Sequence, residues 1–121
     1  MFLKLNHQKL EVFTVSRRFV LECYKLSNIL PNDERFGMVS QIRRAAVSVY
    51  LNIAEGASRK SETERKRFYE IARGSMIEID AALDIAYDLE YLKNFDTVKL
   101  GETMVNCFKL LSGLIKSETK N

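Results

Sequence analysis

Ten basic side chains form the densest chemical feature of this sequence: Arg17, Arg18, Arg43, Arg44, Arg59, Lys60, Arg65, Lys66, Arg67 and Arg73. A guanidinium presents a planar fork of donors that matches two phosphate oxygens at once. All nine arginines lie at or before Arg73, and residues 1–73 hold 14 basic against 8 acidic side chains. Residues 74–121 hold 5 basic side chains, all lysine, against 8 acidic ones. The net charge of +3 therefore hides a basic surface and an acidic one. A basic surface suits phosphate backbones, and it equally suits contact with an acidic patch on another copy. The competing reading is ion pairing along helices. Glu62 lies four before Lys66, Glu55 four before Arg59 and Glu70 three before Arg73. Arg43, Arg44, Arg59 and Lys60 are the preferred phosphate ligands, because a pair and a loop group flank one helix.

Other chemistry has little to stand on. The single histidine, His7, has no partner in the sequence for a triad or a metal site. Asp80, Asp84 and Asp88 recur every four residues with Glu78 nearby, which places the aspartates on one helical stripe. A metal-dependent nuclease would rest on that stripe alone. No Glu-x-x-His pair accompanies it, so a solvated acidic face is the better reading. Ser75 reads as a small packing residue rather than a nucleophile. Phosphate loops, Cys-x-x-Cys pairs and hydrolase elbows are absent from the sequence. The expectation is a non-enzymatic protein with no cofactor and no metal.

These side chains need helices to position them. One proline and five glycines in 121 residues leave little room for an all-β or loop-rich fold. The expectation is a single all-α domain over residues 1–121, an up-down-up-down antiparallel four-helix bundle with helices at about 8–30, 33–57, 62–92 and 96–117. In the first helix Val12, Val15, Phe19, Cys23, Leu26 and Leu30 share a face, widened by Phe13 and Val20. Pro31 ends it, and Asn32 or Asp33 can cap the second. Ala45–Ala54 is apolar almost all round, which points to a partner subunit. Within it, Val49, Tyr50, Asn52, Ile53 and Glu55 are candidates for packing or oligomer contacts, the two polar ones as buried, hydrogen-bonded groups. Gly56 suits a left-handed helix end, and Ser61 with Glu64 suits a capping box. Phe68, Ala72, Ser75, Ile79, Ala82, Ala86 and Leu89 trace a heptad seam. Asp96 can cap the fourth helix, whose face is Leu100, Met104, Cys107, Phe108, Leu111, Leu114 and Ile115.

Arg43-Arg44-Ala45-Ala46-Val47-Ser48-Val49, Asn52-Ile53-Ala54-Glu55-Gly56, Phe68, Ile71-Ala72-Arg73-Gly74-Ser75 and Leu89-Glu90-Tyr91-Leu92 together resemble a bacterial four-helix-bundle family. Its members are encoded by intervening sequences inside 23S ribosomal RNA genes, and the accessory variability protein of diversity-generating retroelements is similar. The resemblance covers roughly residues 10–115. It implies an up-down bundle, ring-like homopentamers and no established catalytic activity. The retroelement member works as a basic barrel that binds nucleic acid and a reverse transcriptase. Two residues depart from the pattern: Tyr50 stands where many relatives have proline, and Glu90 where glycine is common.

The function expected is an oligomeric adaptor or scaffold that binds RNA, DNA or a nucleic-acid-associated protein through its basic surface. The alternative is a purely structural or protein-interaction oligomer. No membrane partner is expected, since no apolar run reaches the roughly 18–20 residues of a span. Cys23 and Cys107 sit in apolar helical patterns and read as small hydrophobes of a reducing cytoplasm rather than a disulfide.

Overall fold

A computed structural model describes residues 2–5 and 10–119, and all of its regular structure is helical. Helix α1 spans Glu11–Asn28, α2 Met38–Ala57, α3 Glu62–Asp88 and α4 Val98–Glu118, with a short 3-10 turn at Asn32–Glu34. Helix α1 packs on α2 and α4, and α3 packs on the same two. Among the described residues the diagonal pairs make no close backbone contact. Four helices thus stand around one core, which is filled by Phe19 and Leu26 from α1, Ile42, Val49 and Ile53 from α2, Met76 and Ile79 from α3, and Leu111 from α4. No helix is long and apolar enough to cross a membrane among the described residues.

The apolar stripe expected on α1 is buried throughout, from Val12 to Leu30. On α3 the buried row is Tyr69, Ala72, Met76, Ile79 and Ala86. This row shares Ala72, Ile79 and Ala86 with the expected seam. Phe68, Ser75 and Ala82 lie half-buried beside it, and Leu89 is exposed. On α4 Phe108 turns partly outward, while Leu100, Cys107, Leu111 and Ile115 are buried. Both cysteines are free and buried. Burial pushes each thiol up to about 12, so near neutral pH both stay protonated and unreactive.

Helix ends differ from the periodicity for local reasons. The expected start at residue 8 lies outside the described residues, and α1 is seen from Glu11. At its other end Ile29 and Leu30 donate to the carbonyls of Leu26 and Ser27, a tightened turn that runs into Pro31. Asn32 and Asp33 do not cap α2. They wind into the 3-10 turn, and α2 begins only at Met38, whose N–H donates to Glu34 Oε1 at 3.3 Å. Glu34 Oε2 accepts the Tyr91 hydroxyl at 3.1 Å, and this bond holds the Tyr91 phenol above its ordinary range. One carboxylate thereby joins the α1–α2 turn to the α3–α4 turn. At the start of α3, Ser61 Oγ accepts the Glu64 N–H at 3.1 Å, and the Glu64 carboxylate turns toward Arg59. Asp96 Oδ1 accepts the Val98 N–H at 3.0 Å, which begins α4 two residues later than expected.

Two positions carry more backbone constraint than the rest. Gly56 does not adopt a left-handed turn; it lies inside α2, packed close against α3. A Cβ there would stand 2.9 Å from Tyr69 Cε1 and 3.0 Å from Phe68 Cβ. The left-handed residue is instead Glu90, with φ 64°. The Tyr91 N–H donates to the Ala86 carbonyl and the Glu90 N–H to that of Tyr87, both at 2.9 Å. That bonding pattern is a Schellman ending, which stops α3 at Asp88 rather than Leu92.

Substitutions at these two sites should move stability in opposite directions. Gly56→Ala should lower the unfolding free energy by about 1–2 kcal/mol, overpacking outweighing alanine's gain in helix propensity. Glu90→Gly should raise it by about 1 kcal/mol, because an L residue in left-handed geometry costs roughly that much. Urea unfolding midpoints read both, and a shift of the same sign in the two variants would contradict this account.

Candidate nucleic-acid interface

Three of the ten candidate cations are consumed by the fold. Arg43, one turn into α2, donates from Nε to Ser27 Oγ and from Nη2 to Asn28 Oδ1, both at 2.7 Å. Its guanidinium also lies over the Tyr24 ring, 5.1 Å from the centroid. Ser27 is buried and donates onward to the Tyr24 carbonyl, so Arg43 fastens the end of α1 to the start of α2. Arg65 pairs with Glu118 at 2.6 Å, and both side chains are largely buried. A second Arg65 nitrogen holds the carbonyls of Arg59 and Lys60 at 3.1 and 2.7 Å, closing the loop before α3. Arg59 sits over Phe68, 5.0 Å from the centroid, between Glu55 at 3.4 Å and Glu64 at 3.8 Å. Each spends its charge inside the chain.

The other seven are differently placed. Arg17, Arg18, Arg44, Lys60, Lys66, Arg67 and Arg73 make no ion pair with any described residue. Arg17, Arg18, Arg44, Lys60 and Arg67 are exposed, whereas Lys66 and Arg73 are half-buried. Of the three helical ion pairs anticipated, the Glu55–Arg59 pair is formed, and Lys66 and Arg73 make no ion pair with a described residue.

Three linked grooves on the half of the molecule that holds the α1–α2 turn carry two of the exposed candidates, Arg18 and Arg44; Arg17, Lys60 and Arg67 line none of the three. The first, about 530 Å³, lies between α1 and α4 and carries Arg18, Lys25 and Lys99. Tyr24 lines both it and a second groove of about 470 Å³ along α1 and α2, which carries Arg43 and Arg44. Arg44 and Ser48 line both the second and a third groove of about 560 Å³ between α2 and α3. The acids in this band are Glu22, which is tied to Lys25 at 3.0 Å, with Glu102 and Glu78. Arg59 and Lys60 do not join it. They lie some sixteen residues along α2 from Arg43 and Arg44, roughly 24 Å at the helical rise. The two preferred groups therefore occupy opposite ends of one helix.

The packing candidates on α2 separate in the same way. Val49 and Ile53 are wholly buried in the chain's own core. Tyr50 is half-buried and stacks on Phe13 with centroids 4.5 Å apart. Asn52 Nδ2 donates to the Ser48 carbonyl at 2.8 Å and to Ser48 Oγ at 3.0 Å, and Ser75 Oγ donates to Ser48 Oγ at 3.0 Å. Asn52 thus belongs to a polar chain bridging α2 and α3. Glu55 is exposed rather than buried, because its position places it on the outer side of α2. The apolar centre of α2 mostly faces its own core; Leu51, 57% exposed, is the residue it leaves outside.

Glu78, Asp80, Asp84 and Asp88 are all exposed, and among the described residues no group of three or more acids, histidines or cysteines is placed to hold a metal. His7 lies outside the described residues. Sequence reasoning missed Arg35, Phe36 and Tyr24. The signal available for Phe36 was an aromatic residue within the polar stretch Asn32–Gly37, where helix periodicity gives it no core to face.

A helical protein with a contiguous basic band and an acidic outer face on α3 is the class these features define. The chain matches the family described as 23S rRNA-intervening sequence protein over residues 8–113, and it belongs to that family. No curated protein matches it.

The division between fastening and free arginines is measurable. Arg43→Ala should lower the unfolding free energy by about 1–3 kcal/mol, the range for hydrogen bonds to charged groups. Arg44→Ala, which removes no ion pair to a described residue, should stay within roughly 0.5 kcal/mol of the parent. Equal losses in urea unfolding would refute the division.

Proposed function

We infer that this protein is a non-enzymatic, oligomeric adaptor that binds nucleic acid or a ribonucleoprotein through the basic band. The observation that carries the reading is Arg44, an exposed guanidinium that pairs with no described acid and is shared by two connected grooves. Arg18, Lys25, Lys99 and the aromatic face of Tyr24 continue the same band. Phosphate contacts of this kind add through counterion release, so a modest patch becomes effective when symmetry repeats it. The family's name links these proteins to ribosomal RNA genes, which favours RNA as the partner.

The bundle runs up-down-up-down in this reading. Arg43 at the start of α2 reaches the last turn of α1, and Arg65 at the start of α3 reaches Glu118 at the end of α4. Resemblance to the family supplies the ring of five, and exposed Leu51, Ile71 and Ile85 supply apolar surface for subunit contacts. Work in the cytoplasm fits the two free buried thiols. Those exposed side chains equally favour a second reading, a protein-interaction oligomer without a nucleic-acid partner.

Absolute mass by light scattering, with salt-titrated binding to structured RNA and duplex DNA on the same sample, separates the two readings. The adaptor should weigh as a pentamer and bind with affinity falling steeply as salt rises, the logarithmic slope dropping by about one with Arg44→Ala. A pentamer that ignores nucleic acid at every salt concentration would leave the second reading. A monomer at micromolar concentration would remove both.

A further inference from the structure

The α1–α2 turn displays an aromatic ring that the fold does not use. Phe36 is 90% exposed although it lies between Glu34 and Gly37, both held by hydrogen bonds of the turn. Arg35 packs against it, with Cζ 5.5 Å from the ring centroid, and makes no ion pair with any described residue. The ring stands at the mouth of the α2–α3 groove, whose walls carry Arg44, Ser40, Gln41, Ser75 and Glu78. At about 560 Å³ that groove falls within the size range of ligand sites, roughly 300–1,000 Å³.

These groups are of three kinds. The ring offers an open π-face in water, which a flat heteroaromatic base covers without regard to its identity. Arg35, lying over the ring, and Arg44, in the wall of the same groove, supply cations that pair with no described acid, as a phosphodiester backbone requires. The serine hydroxyls, the glutamine amide and the Glu78 carboxylate supply donors and acceptors for a base edge, a carboxylate being suited to an exocyclic amine. A duplex satisfies the cations and leaves the rest idle, since its bases are stacked and paired. An unpaired strand satisfies all three.

We propose that the Phe36 groove is a base-stacking site for single-stranded nucleic acid, with Phe36 as the platform and Arg35 and Arg44 as its phosphate ligands. This assignment rests on the nucleic-acid reading above and deepens it from phosphate attraction to recognition of unpaired bases. The chain contains no tryptophan, so Phe36→Trp places a lone indole at the site and keeps a stacking surface.

The test uses the full-length protein, an unstructured mixed-sequence RNA and a duplex RNA of equal length, with binding followed by fluorescence anisotropy. The parent should prefer the unstructured strand. Phe36→Ala should weaken binding to that strand roughly tenfold, the effect of removing one base–aromatic stack. It should leave duplex binding and the salt slope unchanged. In Phe36→Trp the indole emission should be quenched by the unstructured strand and not by the duplex. A parent that binds both RNAs, with Phe36→Ala at full affinity for the single strand, overturns the stacking site and leaves the basic band standing. A parent that prefers the duplex overturns it too. A parent that binds neither RNA at low salt removes the nucleic-acid reading itself.

Discussion

The close approach of α2 to α3 sets the geometry of everything else in this protein. Gly56 lets the end of α2 lie against Phe68 and Tyr69 with no room for a methyl group. Further along the same contact, two serines face each other through hydroxyls 3.0 Å apart. A missing side chain at one end of the contact brings the helices together, and a hydroxyl pair nearer their middles fixes how far one helix can slide along the other. Ser48 and Ser75 also form part of the third groove's wall. The contact that closes the core on one side therefore shapes the surface beside Arg44 on the other.

Arginine does two jobs here, and location decides which. Where the chain turns a corner, carbonyls and carboxamides with no helical partner stand nearby, and a guanidinium can satisfy several at once. Arg43 and Arg65 are placed at such corners and are held there. Arg17, Arg18 and Arg44 lie within helices on exposed positions, where backbone groups are already bonded to one another, and no described acid pairs with them. The net charge overstates what is free for a partner, because part of the basic surplus serves as internal fastening.

Much of this architecture was legible in the sequence. The spacing of Val12, Val15, Phe19, Cys23, Leu26 and Leu30 marked the buried face of α1, because burial on a helix follows its period. The cap at Ser61 was legible because it depends on one residue and its near neighbours. The ends of α2 and α3 were not. The first depends on a carboxylate, Glu34, that replaces the expected caps; the second on a left-handed backbone that glutamate seldom adopts. Gly56 was read for its freedom to turn, when its value here is the absence of a side chain facing another helix. Among the site residues, Arg43 and Arg44 are neighbours with opposite fates. Only the position of Ser27 and Asn28 at the end of the preceding helix distinguishes them, and that is a fact of tertiary structure. Phe36 escaped notice because helix periodicity has nothing to say about a side chain between helices.

The carboxylate of Glu34 also constrains the turn that carries Phe36. It holds the first N–H of α2 with one oxygen and the Tyr91 hydroxyl with the other. The turn carrying Phe36 is thus anchored on both sides before any partner arrives. A slack loop would surrender backbone entropy on ordering, whereas this turn has already surrendered it during folding. The backbone that carries the exposed ring is preorganised, and a perturbation of the α3–α4 turn reaches it through the single shared side chain of Glu34.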